Sequence, residues 1–302
     1  MQVYQIPIDA GNKETTKPGT EEFPLAVYHT VLSRNILGYV PLHWNEEIQF
    51  CLVTKGNVLF TINGEKQLLA QGEGIFINSS RLHMARPVKD PDSTYICLDI
   101  GIPLFQGFPG SVMEQKYLLP SLKDTTLDWQ PFFPDKAWEK QVLDHIFAVY
   151  ELTEQKHYGY ELLCMSHIYA LFGLLLAHRP PKAASGKGGQ GSIAVQNIIT
   201  YLQQNYGEKI TLKTLAAHTS YTESECCRLF KRYTGTSIFT YLQNLRLEQS
   251  VPLLQNTDKP VSDVAYECGF SSTSYYIQRF RDHFGQTPLQ YRKAIDKAKS
   301  KE

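Results

Sequence analysis

The feature that most constrains this chain of 302 residues is a pattern that occurs twice near its carboxyl end. Leu215-Ala216, Phe230-Lys231 and Gly235 reappear as Val264-Ala265, Phe280-Arg281 and Gly285, shifted by 49 residues before an intervening turn and by 50 after it. Each copy reads as a short helix, a tight turn and a capped second helix. In the first copy Thr211 caps a helix through Ala216 and Ala217, and the turn falls at Thr219-Ser220-Tyr221. Thr222 then caps a helix whose apolar face is Cys226, Leu229, Phe230 and Tyr233. In the second copy the turn is Gly269-Phe270, Ser271 or Ser272 is the cap, and Tyr276, Phe280 and Phe284 form a stripe at four-residue spacing. An amphipathic helix carrying Ile193, Ile198, Ile199, Leu202 and Tyr206 precedes both copies, and a longer helix over 238–254 joins them. Residues 192–302 are therefore expected to be an all-α domain of two helix-turn-helix units.

Opposite the apolar stripes lie Ser224, Cys227, Arg228 and Lys231 in the first copy, and Ser274, Ile277, Gln278 and Arg281 in the second. A capped, exposed helix fits the major groove of a DNA duplex, with its side chains at base edges and basic residues at phosphates. Arg228 suits a bidentate bond to guanine and Gln278 one to adenine, while Lys231, Arg232, Arg279 and Arg281 suit phosphates. Charge supports this reading modestly. Residues 192–302 carry 14 basic and 10 acidic side chains, against 16 and 20 in residues 1–191.

Several of these segments resemble the signature of AraC/XylS-type transcription regulators: Asp263-Val264-Ala265, Gly269-Phe270-Ser271-Ser272, Ser274-Tyr275-Tyr276, Arg279-Phe280-Arg281, Phe284-Gly285, Thr287-Pro288 and Tyr291-Arg292. The segment from Tyr241 to Leu247 is similar to that family's linker helix. The resemblance implies base contacts at Ser224, Cys227, Arg228, Thr273, Ser274, Ile277 and Gln278. It also implies a homodimer, RNA polymerase as a further partner, and activation rather than repression. This chain departs from the pattern at Ile277, which offers no hydrogen bond, and at Gln278, where the family often has arginine. Glu223 and Glu225 would repel phosphates unless one accepts from a cytosine amino group.

Ahead of this domain, residues 182–191 are rich in glycine and lack large apolar side chains, as expected of a linker. Gly186, Gly188 and Gly191 match GxGxxG, but a helix rather than a strand precedes them, so a dinucleotide loop is not expected. Further upstream, runs at residues 48–53, 58–62 and 74–77 read as short strands, and Asn63-Gly64 is the strongest hairpin signal. From about Asp135 the period becomes helical, with Trp138, Val142, His145, Ile146 and Val149 on one face and a second helix from about Tyr160 to His178. The expected fold class is an α+β two-domain chain. Residues 1–134 form an antiparallel β-barrel, 135–181 a helical dimerisation segment, 182–191 a linker and 192–302 the helical reader.

The β domain resembles the cupin-like sensor that such regulators often carry. His43-Trp44-Asn45-Glu46-Glu47-Ile48-Gln49 followed by Gly56 has the spacing of the first cupin motif, and Gly72 to His83 that of the second. A metal-binding cupin would supply three histidines and a carboxylate. Asn45 and Gln49 stand in place of one histidine and the acid, and neutral amides are poor ligands for a divalent transition metal. Alternation along the strand puts Glu46 on the other face from His43 and Asn45. No metal or other cofactor is expected. A pocket lined by His43, Asn45, Gln49 and His83, with Trp44 or Tyr95 nearby, is expected to take a small-molecule effector of the sugar or polyol class.

Enzyme constellations are weak by comparison. Glu21-Glu22, Glu46-Glu47 and Asp90/Asp92 sit at turns or strand edges, where a solvated role is the ordinary one. The six cysteines lack CxxC spacing, the amino terminus lacks a signal-peptide pattern, and residues 162–177 fall short of a clean membrane span. These features lead us to expect a cytoplasmic protein without a membrane partner. A thiol switch at Cys226-Cys227 would require a lowered pKa beside Arg228. The expected function is a sequence-specific, double-stranded-DNA-binding transcription regulator controlled by a small molecule. The alternative is a metal-dependent cupin isomerase or oxygenase with an appended helical domain.

Overall fold

The computed structural model describes every residue except 3, 10, 11, 125, 180–187 and 300–302. The chain divides into two compact units, Met1–Ser192 and Ile193–Glu302.

The first unit is built on strands β1 (Leu25–Val31), β2 (Val40–His43), β3 (Ile48–Lys55), β4 (Asn57–Ile62), β5 (Glu65–Ala70), β6 (Gly74–Ile77), β7 (His83–Pro87), β8 (Thr94–Ile100) and β9 (Trp129–Phe132). They form two antiparallel sheets with orders β1-β8-β3-β6-β9 and β2-β7-β4-β5. Asn63-Gly64 makes a two-residue loop between the paired Ile62 and Glu65, and both loop residues have positive φ (47° and 85°), as a type I′ hairpin requires.

Strands β3 and β8 read as almost uninterrupted apolar runs because both of their faces are covered. Phe50, Leu52, Ile96 and Leu98 face an outer core shared with helices. Cys51, Val53, Tyr95 and Cys97 alternate with them and face the space between the sheets. Gln49 and Asp99 share this inward parity and are directly paired in register, so two polar side chains meet inside the barrel.

Short helices α1 (Pro103–Gln106) and α2 (Leu119–Lys123) lie between β8 and β9. The longer α3 (Ala137–Gln155) and α4 (Tyr160–His178) then pack onto the outer face of the five-stranded sheet. Helices α3 and α4 are therefore part of the same compact unit as the barrel rather than a separate segment. Val142, Ile146 and Val149 enter its core at the helical spacing, as do Cys164, Ile168, Leu171, Phe172, Leu175 and Leu176. Helix α4 is long and apolar enough to cross a membrane by length and composition, and its buried side packs in this core.

Helix α5 (Gly188–Gln204), which enters the second unit at Ile193, starts inside the stretch expected to be a linker, while 182–187, with Gly186 of the GxGxxG match, lie outside the described residues. Ala194, Val195, Ile198, Ile199 and Leu202 are buried along one face, and helix propagation from that core adds one hydrogen bond per residue fixed, enough to carry the helix through glycines. Ile193 is exposed and Tyr206 falls just past the helix end, so neither belongs to the stripe expected of them.

The remaining helices are α6 (Leu212–Ala217), α7 (Glu223–Thr234), α8 (Ile238–Asn256), α9 (Val261–Glu267), α10 (Thr273–Phe284) and α11 (Pro288–Lys299). Helices α6–α7 and α9–α10 are the two repeats, and α8 joins them. Gly235 and Gly285 end α7 and α10 in the left-handed conformation that a glycine adopts without penalty. Tyr276 is fully buried and its hydroxyl donates to Ser250 Oγ at 3.0 Å, tying α10 to α8. Phe280 is buried beside it, whereas Phe284, expected in the same stripe, is only half-buried at the helix end.

Candidate functional site

The two candidate sites are the outward faces of α7 and α10 and the interior of the barrel. In α7 the Thr222 side chain accepts from the backbone of Glu225, and the Glu225 carboxylate in turn accepts from Thr222 N and Thr222 Oγ1 at 3.0 and 2.8 Å. This reciprocal capping box explains an acid at the start of a helix expected to face phosphates: Glu225 satisfies amide groups that would otherwise lack partners. The spacing Thr-x-x-Glu carried that signal. In α10 the cap is Ser272, which accepts from Tyr275 N.

With the apolar stripes buried, Ser224, Arg228, Lys231, Ser274, Gln278 and Arg281 are exposed, and Cys227, Thr273 and Ile277 are half-buried on the same faces. Arg232 is exposed as well, while Arg279 is half-buried and its Nε has no hydrogen-bond partner. Burial raises the Cys227 thiol pKa, the opposite of what a reactive thiolate requires, and Cys226 is buried against Thr219. Cys227, the member on the outward face, therefore lacks the activation that a thiol switch needs.

Inside the barrel, His43 and His83 are direct partners across β2 and β7, with ring centroids 4.2 Å apart. Each ring is fixed in the same way. His43 Nδ1 lies 2.8 Å from Pro41 O and His83 Nδ1 lies 2.8 Å from Arg81 O, so Nδ1–H donates to a backbone carbonyl and Nε2 is left as the acceptor. Burial pushes the His43 pKa down to about 4 and that of His83 well below its usual value, so both rings are neutral near pH 7.

Gln49 Nε2 donates to Asp99 Oδ1 at 2.9 Å, and the Cys97 thiol donates to the same oxygen at 3.1 Å. Cys97 Sγ also lies 3.3 Å from Cys51 Sγ. Burial, reinforced by the charge of Glu14, pushes the Asp99 carboxyl up to about 8. Burial raises the Glu14 carboxyl as well.

These side chains surround a small cavity of about 30 Å³, lined on its polar side by Glu14, Thr30, His43, Gln49, His83 and Asp99. Tyr28, Phe60 and Tyr95 supply aromatic walls. Three of the four residues expected there line it. Asn45 does not: it is buried, with Nδ2 3.5 Å from Glu14 Oε2, because the chain leaves β2 at His43 and residues 44–47 follow no strand pleat. Trp44 instead lies under the Lys13 ammonium, and Glu46 is exposed and paired with Lys13.

Sequence reasoning missed Glu14 and Asp99. Glu14 comes from an amino-terminal segment whose backbone bonds Trp44 O at 2.8 Å, a long-range contact without a local signature. Asp99 had a signal, being the one charged residue in the apolar strand Thr94–Ile100. Among the described residues, no group of three or more His, Cys, Asp or Glu has the arrangement to hold a metal ion.

Comparison with known proteins agrees with this two-part organisation. Residues 33–172 match the AraC-like ligand binding domain, and residues 215–294 match a helix-turn-helix domain. The HTH-type transcriptional regulator YdeC of Bacillus subtilis (strain 168) is 36% identical over 290 residues, covering 95% of this chain and 97% of that protein. The Msm operon regulatory protein of Streptococcus mutans is 23% identical, covering 83% of this chain and 85% of its own. The HTH-type transcriptional activator RhaS of Escherichia fergusonii is 24% identical over 86% of this chain and 90% of its own. With a barrel that encloses a polar cavity and two capped helix-turn-helix units, the chain belongs to the AraC-type family of DNA-binding transcription regulators with a ligand-binding domain.

Proposed function

We propose that this chain is a cytoplasmic transcriptional activator, not an enzyme, that works as a homodimer and reads two successive major grooves with α7 and α10. Arg228 and Gln278 make the principal base contacts, helped by Ser224, Cys227, Thr273, Ser274 and Ile277, and Lys231 and Arg281 hold phosphates. The observation that carries this reading is the pair of capped helices whose apolar faces are buried and whose polar faces are exposed. A relative described as a transcriptional activator supports activation, which brings RNA polymerase in as a partner.

Dimerisation is assigned to α4. Its apolar residues run all round the helix, so one side packs in the core while Leu162, Leu163 and Tyr169 remain exposed. The effector is assigned to the barrel cavity, where hydroxyl, amide and imidazole groups suit a small, hydroxyl-bearing, sugar-like molecule held by His43, Gln49 and His83, with Asn45 behind Glu14. Control requires that the effector bind two global arrangements with unequal affinity. The test is to recover duplexes retained by the full chain from a random pool, with and without a panel of sugars. A shared sequence whose retention changes with one of them supports the proposal. Retention without sequence preference overturns it.

A further inference from the structure

Among the described residues, the interior of the barrel holds two carboxyl groups with no basic side chain beside them to balance their charge when they ionise. Glu14 and Asp99 both line the cavity, and no lysine or arginine is among its described lining residues. The other polar groups are also biased. His43 and His83 are held by backbone carbonyls in the tautomer that presents Nε2 as an acceptor. Thr30 Oγ1, on a residue 1% exposed, lines the same cavity and has no hydrogen-bond partner. A buried polar atom without a partner is uncommon in a folded protein, and a ligand group is one way to satisfy it. Tyr28, Phe60 and Tyr95 add ring faces, which attract cations.

We infer that the effector of this barrel carries a protonated amine, seated among Glu14, Asp99, Thr30 and the Nε2 atoms of His43 and His83. This rests on the reading that the barrel is the effector site, and it narrows the ligand within that reading. An ammonium has three donors and no acceptor, which complements a cavity rich in acceptors. It also neutralises buried carboxylates, whereas a neutral sugar would leave them as uncompensated charges or force them to stay protonated. The cavity is small, about 30 Å³, so small amines are the appropriate first probes.

The test uses the full chain at pH 8 and constant ionic strength, with ethanolamine, putrescine and D-glucosamine set against their neutral counterparts ethylene glycol, 1,4-butanediol and D-glucose. Trp44, Trp129 and Trp138 all lie in the first unit, so the tryptophan-detected melting temperature reports on the barrel. At least one amine should raise it in a saturable way while its neutral counterpart does not. Glu14→Gln and Asp99→Asn should each weaken that amine by about 10- to 100-fold, the loss of a charge-assisted hydrogen bond. Glu14→Gln, on a segment outside the strands, keeps the test open if Asp99→Asn does not fold.

Equal stabilisation by amine and neutral counterpart, no stabilisation by any amine, or an amine effect untouched by Glu14→Gln would overturn the inference. So would saturable stabilisation by zinc or manganese without any by amines. Stabilisation by D-glucose alone would overturn the amine while leaving the barrel as effector site. An effector that alters DNA retention but fails to shift barrel melting would overturn the site itself.

Discussion

Replacing Gly269 by alanine should damage the second helix-turn-helix far more than the same change at Gly285, although both glycines have nearly the same backbone. Their φ angles are +83° and +75°, so each substitution incurs the left-handed cost of about 1–2 kcal/mol. At Gly285 a Cβ meets nothing within 4 Å. At Gly269 it falls 2.7 Å from Tyr206 O and 2.9 Å from Arg246 Cζ and Nε. Those atoms cannot easily give way, because Arg246 Nε donates to Tyr206 O at 2.7 Å and Nη2 to Glu208 O at 2.9 Å. Overpacking adds about 1–3 kcal/mol and disturbing the guanidinium bonds adds more, so the two variants should differ by about 2–4 kcal/mol. That is a large share of a typical domain stability of about 5–15 kcal/mol.

Native-state hydrogen exchange over residues 261–285 resolves the difference. Exchange should quicken by about 5- to 30-fold in Gly285→Ala and by a further ~30- to 1,000-fold in Gly269→Ala. Tryptophan-detected melting of the first unit should stay unchanged in both. Equal exchange in the two variants would refute the claim that the turn is packed against Arg246 and Tyr206.

Arg228→Ala should alter which duplexes are retained, whereas Lys231→Ala should weaken binding to all duplexes and lower the salt slope by about one, as mobility shifts over a salt series would measure. Leu163→Glu on the exposed side of α4 should convert a dimer to a monomer in light scattering, and an unchanged mass would move the interface elsewhere. The Asp99 and His43 contributions to the stability of the first unit should offset one another between about pH 4 and 6.5 and give a net fall above that. Asp99 keeps its proton in the folded state up to about 8 while the unfolded carboxyl loses it near 3.9, so its contribution falls as pH rises between those values. His43, held down to about 4, contributes in the opposite sense below about 6.5, which leaves the net loss of a few kcal/mol between about 6.5 and 8. Urea unfolding across that range should show this slope, and Asp99→Asn should flatten it.

What could be read in advance was local. Asn63-Gly64 fixes its hairpin within two residues, Thr222 and Ser272 cap the helices they precede, and the four-residue spacing of Tyr276 and Phe280 defines a buried stripe. What escaped depends on distant chain. Strand β5, Glu65–Ala70, is an edge strand whose first half is polar and whose second half is apolar, without the alternation that marks a strand, and it is recognisable only through its pairing with β4. Glu14 reaches the cavity across thirty residues of intervening sequence, and the inward orientation of Asp99 follows from its register with Gln49. The helix beginning at Gly188 is carried by the core contacts of residues after it, which no glycine in that stretch advertises.

The central claim is that α7 and α10 enter successive major grooves of one duplex. Guanine N7 methylation protection, with the full chain bound to a duplex it selects, tests this most directly. Two protected blocks should appear on one face about one helical turn, ~10 base pairs, apart. Arg228→Ala should release one block and Gln278→Ala should weaken the other. A single protected block, or two blocks indifferent to both substitutions, would contradict the account.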